Sequence, residues 1–159
     1  MFQDGRSESH LIAPAPGWED WDAAAEAIHG LCRATLVADG ETHEFVASRM
    51  VETLTGHDLF ASAPSWDGKW LSVLLRAAGH PRRALRLRDT DDALWDTVEE
   101  ILTPVVTPGR LPIEVHAIVS KANAGRARIP AHRALADVQC EQAAWLRARD
   151  SARAFVAAL

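Results

Sequence analysis

The chain has 159 residues, 48% of them hydrophobic and 25% charged, with a formal net charge of −5. A chain of that length buries about two-thirds of the surface its unfolded form exposes, so one domain is expected to fold without staples, and the composition excludes wholesale disorder. No apolar run approaches the roughly 20 residues that span a bilayer, and MFQDGRSESH has no basic stretch followed by an apolar one, so a cytoplasmic protein with no membrane partner is expected.

Residues 1–17 mix polar residues with APAPG and are expected to form a flexible N-terminal arm, leaving 18–159 as a single globular domain. From Trp18 the apolar residues Trp18, Trp21, Ala25, Ile28 and Cys32 fall at helical spacing, with Glu19, Asp20 and Asp22 where a helix dipole favours negative charge. That predicts a first helix ending near Gly30 to Arg33. The next stretch reads two ways, as a hairpin turning on Asp39-Gly40 or as a helix from Thr42 to Leu54. The face formed by Phe45, Val46, Met50, Val51 and Leu54, closed by Gly56, favours the helix. Pro64 and Ser65 open a further helix that is apolar on almost every side, carrying Trp66, Trp70, Leu71, Leu74 and Leu75, and it is expected at the centre of the core.

Arg83 to Arg88 alternates and reads as a short strand. Asp89, Thr90, Asp91 and Asp92 supply capping chemistry for a helix bearing Leu94, Trp95, Val98, Ile101 and Leu102, ended by Pro104. Leu111 to Val119, with Ile113, Val115, Ala117 and Val119 on one face, carries the strongest strand signal. Residues 120–130 read as a basic loop, and Ala131 to Ala158 as a final helix with Leu135, Val138, Trp145, Ala152, Phe155, Val156 and Leu159 on one stripe. The fold expected is therefore a helix-rich α+β domain: about five helices around a Trp-rich core, with a small sheet including 83–88 and 111–119.

The chemical motifs are mostly negative. Neither GxGxxG, GxxxxGK[ST] nor GxSxG occurs. His43-Glu44 starts like HExxH, but Ala47 stands at the second ligand position. His29 and Cys32 lie one turn apart on the predicted helix, yet His132 and Cys140 are about 12 Å apart along another, so no metal site and no cofactor are expected. Two cysteines 108 positions apart are not a disulfide framework. His57-Asp58 and His80, beside Arg82 and Arg83, are the only arrangements that point to acid–base chemistry.

Charge is divided unevenly: residues 1–80 hold 5 basic and 12 acidic side chains, residues 81–159 hold 12 and 10. Arg82, Arg83, Arg86 and Arg88 form one basic group and Lys121, Arg126, Arg128 and Arg133 a second. If the two predicted strands pair, the groups converge on one phosphate-binding edge. Against that stand the acidic total and the lack of aromatic residues inside either group; Asp89, Asp91, Asp92 and Glu114 are on hand to neutralise them. Trp18 and Trp21, beside the arm, are candidate anchors for a protein interface or for self-association.

His43-Glu44-Phe45-Val46-Ala47, Ala63-Pro64-Ser65-Trp66, Lys69-Trp70 and Leu74-Leu75-Arg76-Ala77-Ala78-Gly79-His80 together resemble small actinobacterial prophage proteins of unknown function. The resemblance covers residues 43–80, includes no catalytic signature, and lacks the longer loop those proteins carry before the lysine. It implies an accessory role in a phage or mobile element and nothing biochemical. The leading expectation is a non-enzymatic interaction or assembly module. The alternatives are a nucleic-acid-associated protein using the arginine groups and an enzyme using His57 or His80.

Overall fold

A computed structural model of the chain describes residues 1–126 and 132–159. Among the described residues there are seven helices and two strands: α1 (Ala23–His29), α2 (Arg33–Asp39), α3 (His43–Leu54), β1 (Leu59–Ala61), α4 (Pro64–Ala77), β2 (Leu87–Asp89), α5 (Thr90–Leu102), α6 (Leu111–Ala124) and α7 (Ala134–Ala157). The architecture is helix-rich α+β, with two more helices than the periodicity predicts. No described helix is long and apolar enough to cross a membrane.

The first predicted helix divides. Asp22 adopts extended backbone and its Oδ1 accepts the Ala24 and Ala25 amides at 2.8 and 3.3 Å, so the helix starts after the acidic residues rather than on them. Gly30, at φ 64°, closes α1 in the left-handed region, and Cys32 caps a separate α2. Asp39-Gly40 ends α2 and does not turn a hairpin. A side chain on Gly40 would overlap the Leu36 carbonyl and the Ala13 backbone, so only glycine allows the residues of the arm to pass this close.

Those residues lie against the domain. Glu41 donates its amide to Leu11 and accepts from Ala13, both at 2.8 Å, Ala15 is buried, and Ile12 packs beside the α3–α4 core. Ion pairs add to this seam: Glu8 binds Arg49 through two bonds of 2.6 and 3.0 Å, and His10 meets Glu41. The stretch expected as a flexible arm is thus docked along α2 and α3.

The sheet is a single parallel pair, Leu59↔Leu87, Phe60↔Arg88 and Ala61↔Asp89, with α4 in the crossover that parallel strands require. Only the last residues of 83–88 become strand; Pro81 accepts the Ala84 amide at 2.9 Å and sets a turn there. The strand expected over 111–119 is helix. Its alternation coincides with an i, i+4, i+7 set, Val115, Val119 and Ala122, all buried, while Ile113 is 67% exposed. Residues 120–124 of the expected loop belong to the same helix.

Two apolar clusters fill the interior. One joins Val46 and Ala47 of α3 to Leu74 and Leu75 of α4 and to Leu85. The other joins Leu94, Val98 and Leu102 of α5, Val115, Val119 and Ala122 of α6, and Ala144, Ala148 and Ala152 of α7. Neither is built from tryptophan. Trp66 and Trp70 are 58% and 52% exposed, because α4 buries Leu74 and Leu75 on the opposite side. Trp95 is also exposed, and only Trp18 and Trp145 pack against the clusters. Four members of the predicted α7 stripe do face this cluster, Ala152 fully buried and Trp145, Phe155 and Val156 packed against it, with Ala144 and Ala148 buried beside them, while Leu135 and Leu159 stay outside.

Leu94→Ala is expected to destabilise the protein by about 2–5 kcal/mol, since it removes a fully buried side chain from the three-helix cluster, and deletion of residues 142–159 should abolish cooperative unfolding in a denaturant melt. The arm responds to acid. Hydrogen bonds from Arg49 first, then its charge, hold the Glu8 carboxyl below the usual carboxylate range. A carboxylate lowered in the folded state stabilises it fully above that range and ceases to do so as pH falls through the lowered value. Hydrogen-exchange protection of the Ala13 and Glu41 amides should therefore drop on acidification, and Glu8→Gln should lower it already at neutral pH.

Candidate functional site

The loop 81–86 presents its arginines because of where its leucine goes. Leu85 is buried in the α3–α4 cluster, and Arg82, Arg83 and Arg86 around it are all exposed. Open clefts flank the loop. One, of about 430 Å³, is lined by His57, Asp58, Arg83, Arg86 and Arg88 among others. The second, of about 350 Å³, lies between Arg82, Arg83 and Arg86 and the Gly68 and Ser72 side of α4. Among the described residues, Arg82, Arg83 and Arg86 make no hydrogen bond or ion pair.

Arg88, the fourth member of this group, is already engaged. It binds Asp96 at 2.7 Å and Asp92 at 3.6 Å and lies 5.2 Å from the Phe60 ring centroid. The Asp96 hydrogen bond, followed by the charges of Asp96, Asp92 and Asp58, holds its guanidinium above the usual arginine value.

The second basic group does not join the first, because the strand pairing that would bring them together is absent. Lys121 lies exposed on α6. Arg126 is an interior brace, 2.8 Å from Asp91 and 3.0 Å from Glu141 with a side chain only 20% exposed. Arg133 is placed by the start of α7, its guanidinium against Gly30 at the end of α1. Arg128 lies outside the described residues. Glu114, expected to neutralise this group, pairs with Arg110 instead.

The histidines are dispersed. His57 sets its ring edge-on to Phe2 at 5.8 Å in the larger cleft. His80 Nε2 is 3.1 Å from the Ser48 hydroxyl, which resembles a nucleophile–base pair. Ser48 lies in the middle of α3, however, where neighbouring amides are committed to the helix and none is left to stabilise an oxyanion. The same contact recurs at 3.3 Å between His116 and Ser120 on the open face of α6, which marks it as surface hydrogen bonding.

His29 and Cys32 no longer share a helix face, since Cys32 starts α2, and the His29 Nδ1 accepts the Leu31 amide at 3.0 Å. Among the described residues no group of three or more His, Cys, Asp or Glu is placed to hold a metal ion. Cys32 and Cys140 form no disulfide. The Cys32 sulfur accepts from the Thr35 amide at 3.4 Å and lies 3.1 Å from its hydroxyl.

The tryptophans sort differently from expectation. Trp18 is half-buried with its ring 6.0 Å from that of His43, and its carbonyl accepts from Arg33 at 2.8 Å. Trp21 is 37% exposed, donates to Glu26, and sets its ring edge against His29. The group not foreseen is on α4. Trp66 and Trp70 stand edge to face at 5.9 Å, and the Lys69 ammonium lies 5.1 and 4.9 Å from their centroids. Its signal was the WxxKW spacing on a helix whose other face was already filled by leucines.

Compared with protein-family models, with curated proteins and with solved structures, the chain matches none.

The Cys32 thiol is shifted below the usual cysteine value by the Thr35 hydroxyl first and the Thr35 amide second. A lowered thiol holds more thiolate at neutral pH. Thr35→Val should therefore slow alkylation of Cys32 by iodoacetamide at pH 7 by about several-fold and move the pH–rate midpoint upward.

Proposed function

We propose that the chain is a non-enzymatic interaction module that takes a phosphate-bearing polymer on the arginine loop 82–86. The observation that carries this reading is the contrast among its cations. Arg88 and Arg126 are committed to Asp92, Asp96, Asp91 and Glu141, whereas Arg82, Arg83 and Arg86 have no carboxylate partner among the described residues and border open clefts. A guanidinium offers forked donors that match phosphate oxygens, and three on one short loop give a footprint for a polyanion rather than for one small ion. An accessory role in a phage or mobile element, as the resemblance of residues 43–80 implies, is compatible with such a module.

Catalysis is not part of the reading. The Ser48–His80 contact lacks an oxyanion donor, and His57 faces arginines rather than a nucleophile.

Binding of a labelled duplex DNA should weaken steeply with salt. Replacing Arg82, Arg83 and Arg86 together by alanine should lower the slope of log affinity against log salt by about 2–3, near one for each phosphate contact removed. Fluorescence anisotropy across a salt series measures it; an unchanged slope in the triple variant would remove the loop from binding.

A further inference from the structure

We infer that the polymer taken by the arginine loop is single-stranded nucleic acid, with bases stacked on Trp66 and Trp70 and backbone phosphates on Lys69, Arg76 and the loop. This rests on the reading of the loop proposed above. Helical geometry carries the argument. Each residue turns the helix by about 100°, so the exposed arc of α4 runs from Gly68 and Ser72, which wall the cleft beside Arg82 and Arg86, through Lys69 and Arg76, to Trp66 and Trp70. Leu74 and Leu75 occupy the other side. The cleft, the cations and the indoles therefore form one continuous surface rather than three separate features.

The chemistry of that surface is specific. Two indoles more than half exposed on successive turns, packed edge to face at 5.9 Å, leave much of their surface to solvent. Lys69 sits over both rings, so a cation lies within reach of any phosphate whose base stacks there. A positively charged track beside stacking platforms is the arrangement that holds single strands without reading their sequence. Duplex DNA keeps its bases inside and would use only the cations. A protein partner would bury the indoles but has no general need for five neighbouring cations, and that charge complementarity decides for the nucleic acid.

The test compares a labelled oligothymidylate with a duplex of the same phosphate number, using the full chain, Trp66→Ala/Trp70→Ala, Trp66→Phe/Trp70→Phe, and the triple arginine variant. The expected result is tighter binding of the single strand by the parent, with indole emission quenched on binding. The double alanine variant should lose about tenfold or more for the single strand, keep its duplex affinity and its thermal midpoint, and show no binding-dependent quenching; the phenylalanine variant should recover most of the affinity. Duplex binding that depends on the arginines, with single-strand affinity indifferent to the tryptophans, would overturn this inference and leave the loop reading standing. Failure of the parent to bind either oligonucleotide would overturn both. Sedimentation showing a parent oligomer that dissociates in the double alanine variant, without single-strand binding, would assign the tryptophans to a protein interface and overturn the inference.

Discussion

Two apolar clusters with no residue in common meet at the β2–α5 junction, and ion pairs gather on the first turns of α5. Asp89 ends β2 and caps α5 by accepting the Asp91 amide at 2.9 Å. Arg88, one residue before the cap, reaches forward to Asp92 and Asp96, while Asp91 turns the other way to Arg126, which also holds Glu141 of α7. Asp89 at the cap and Asp91 and Asp92 in the first turn favour the helix dipole. Behind them Leu94, Val98 and Leu102 enter the C-terminal cluster at almost no exposure. If the α5 start shifted, Arg88 would lose Asp92 and Asp96, and Arg126 would lose Asp91, together.

The same constraint shapes the surface. Arginines near α5 are consumed by its carboxylates, and Arg126, partly buried, gains from pairing what an unpaired charge in that position would lose. Among the described residues, the arginines between the turn at Pro81 and the start of β2 make no ion pair. The basic loop is thus the remainder left when the architecture has taken the cations it needs. A surface assembled in this way requires no excess of basic residues in the whole chain.

Elements with capping chemistry and a helical period were legible from residues alone: Thr42 caps α3, Pro64 opens α4, Asp89 caps α5. The failures share a physical cause. Over nine residues, Val115 and Val119 satisfy both a period of two and a spacing of four, and only Ile118 and Ala122, outside or between the alternating set, settle the matter for helix. The tryptophans failed for another reason. Size argues for burial, but a helix packed on one side has room for one face, and Leu71, Leu74, Leu75 and Ala78 already fill it. Tertiary pairs such as Glu8–Arg49 and Arg126–Glu141 bridge elements far apart in sequence and leave no local mark. That is why the docked arm and the division between committed and unpaired arginines could be read only from the fold.

The proposed polyanion surface on an acidic chain is not a contradiction once distance is considered. The formal charge of −5 is a property of the whole molecule, but at physiological salt the screening length is about 8 Å, so a phosphate at the loop responds to groups within a side chain's reach and little beyond. Arg82, Arg83 and Arg86 line one cleft together, and Lys69 and Arg76 belong to the α4 helix that walls it. Asp58 is the nearby opposing carboxylate in the larger cleft, and its field falls on Arg88. Many of the remaining acidic groups are on the arm, α1 and the exposed side of α5, where Glu8, Glu26, Asp92 and Asp96 are already engaged. Under the proposed reading, the distant negative charge would act on approach at low salt, repelling a polyanion from most orientations and favouring entry at the arginine loop. On that reading, net charge would govern the rate and the direction of encounter, and the local pattern what is held.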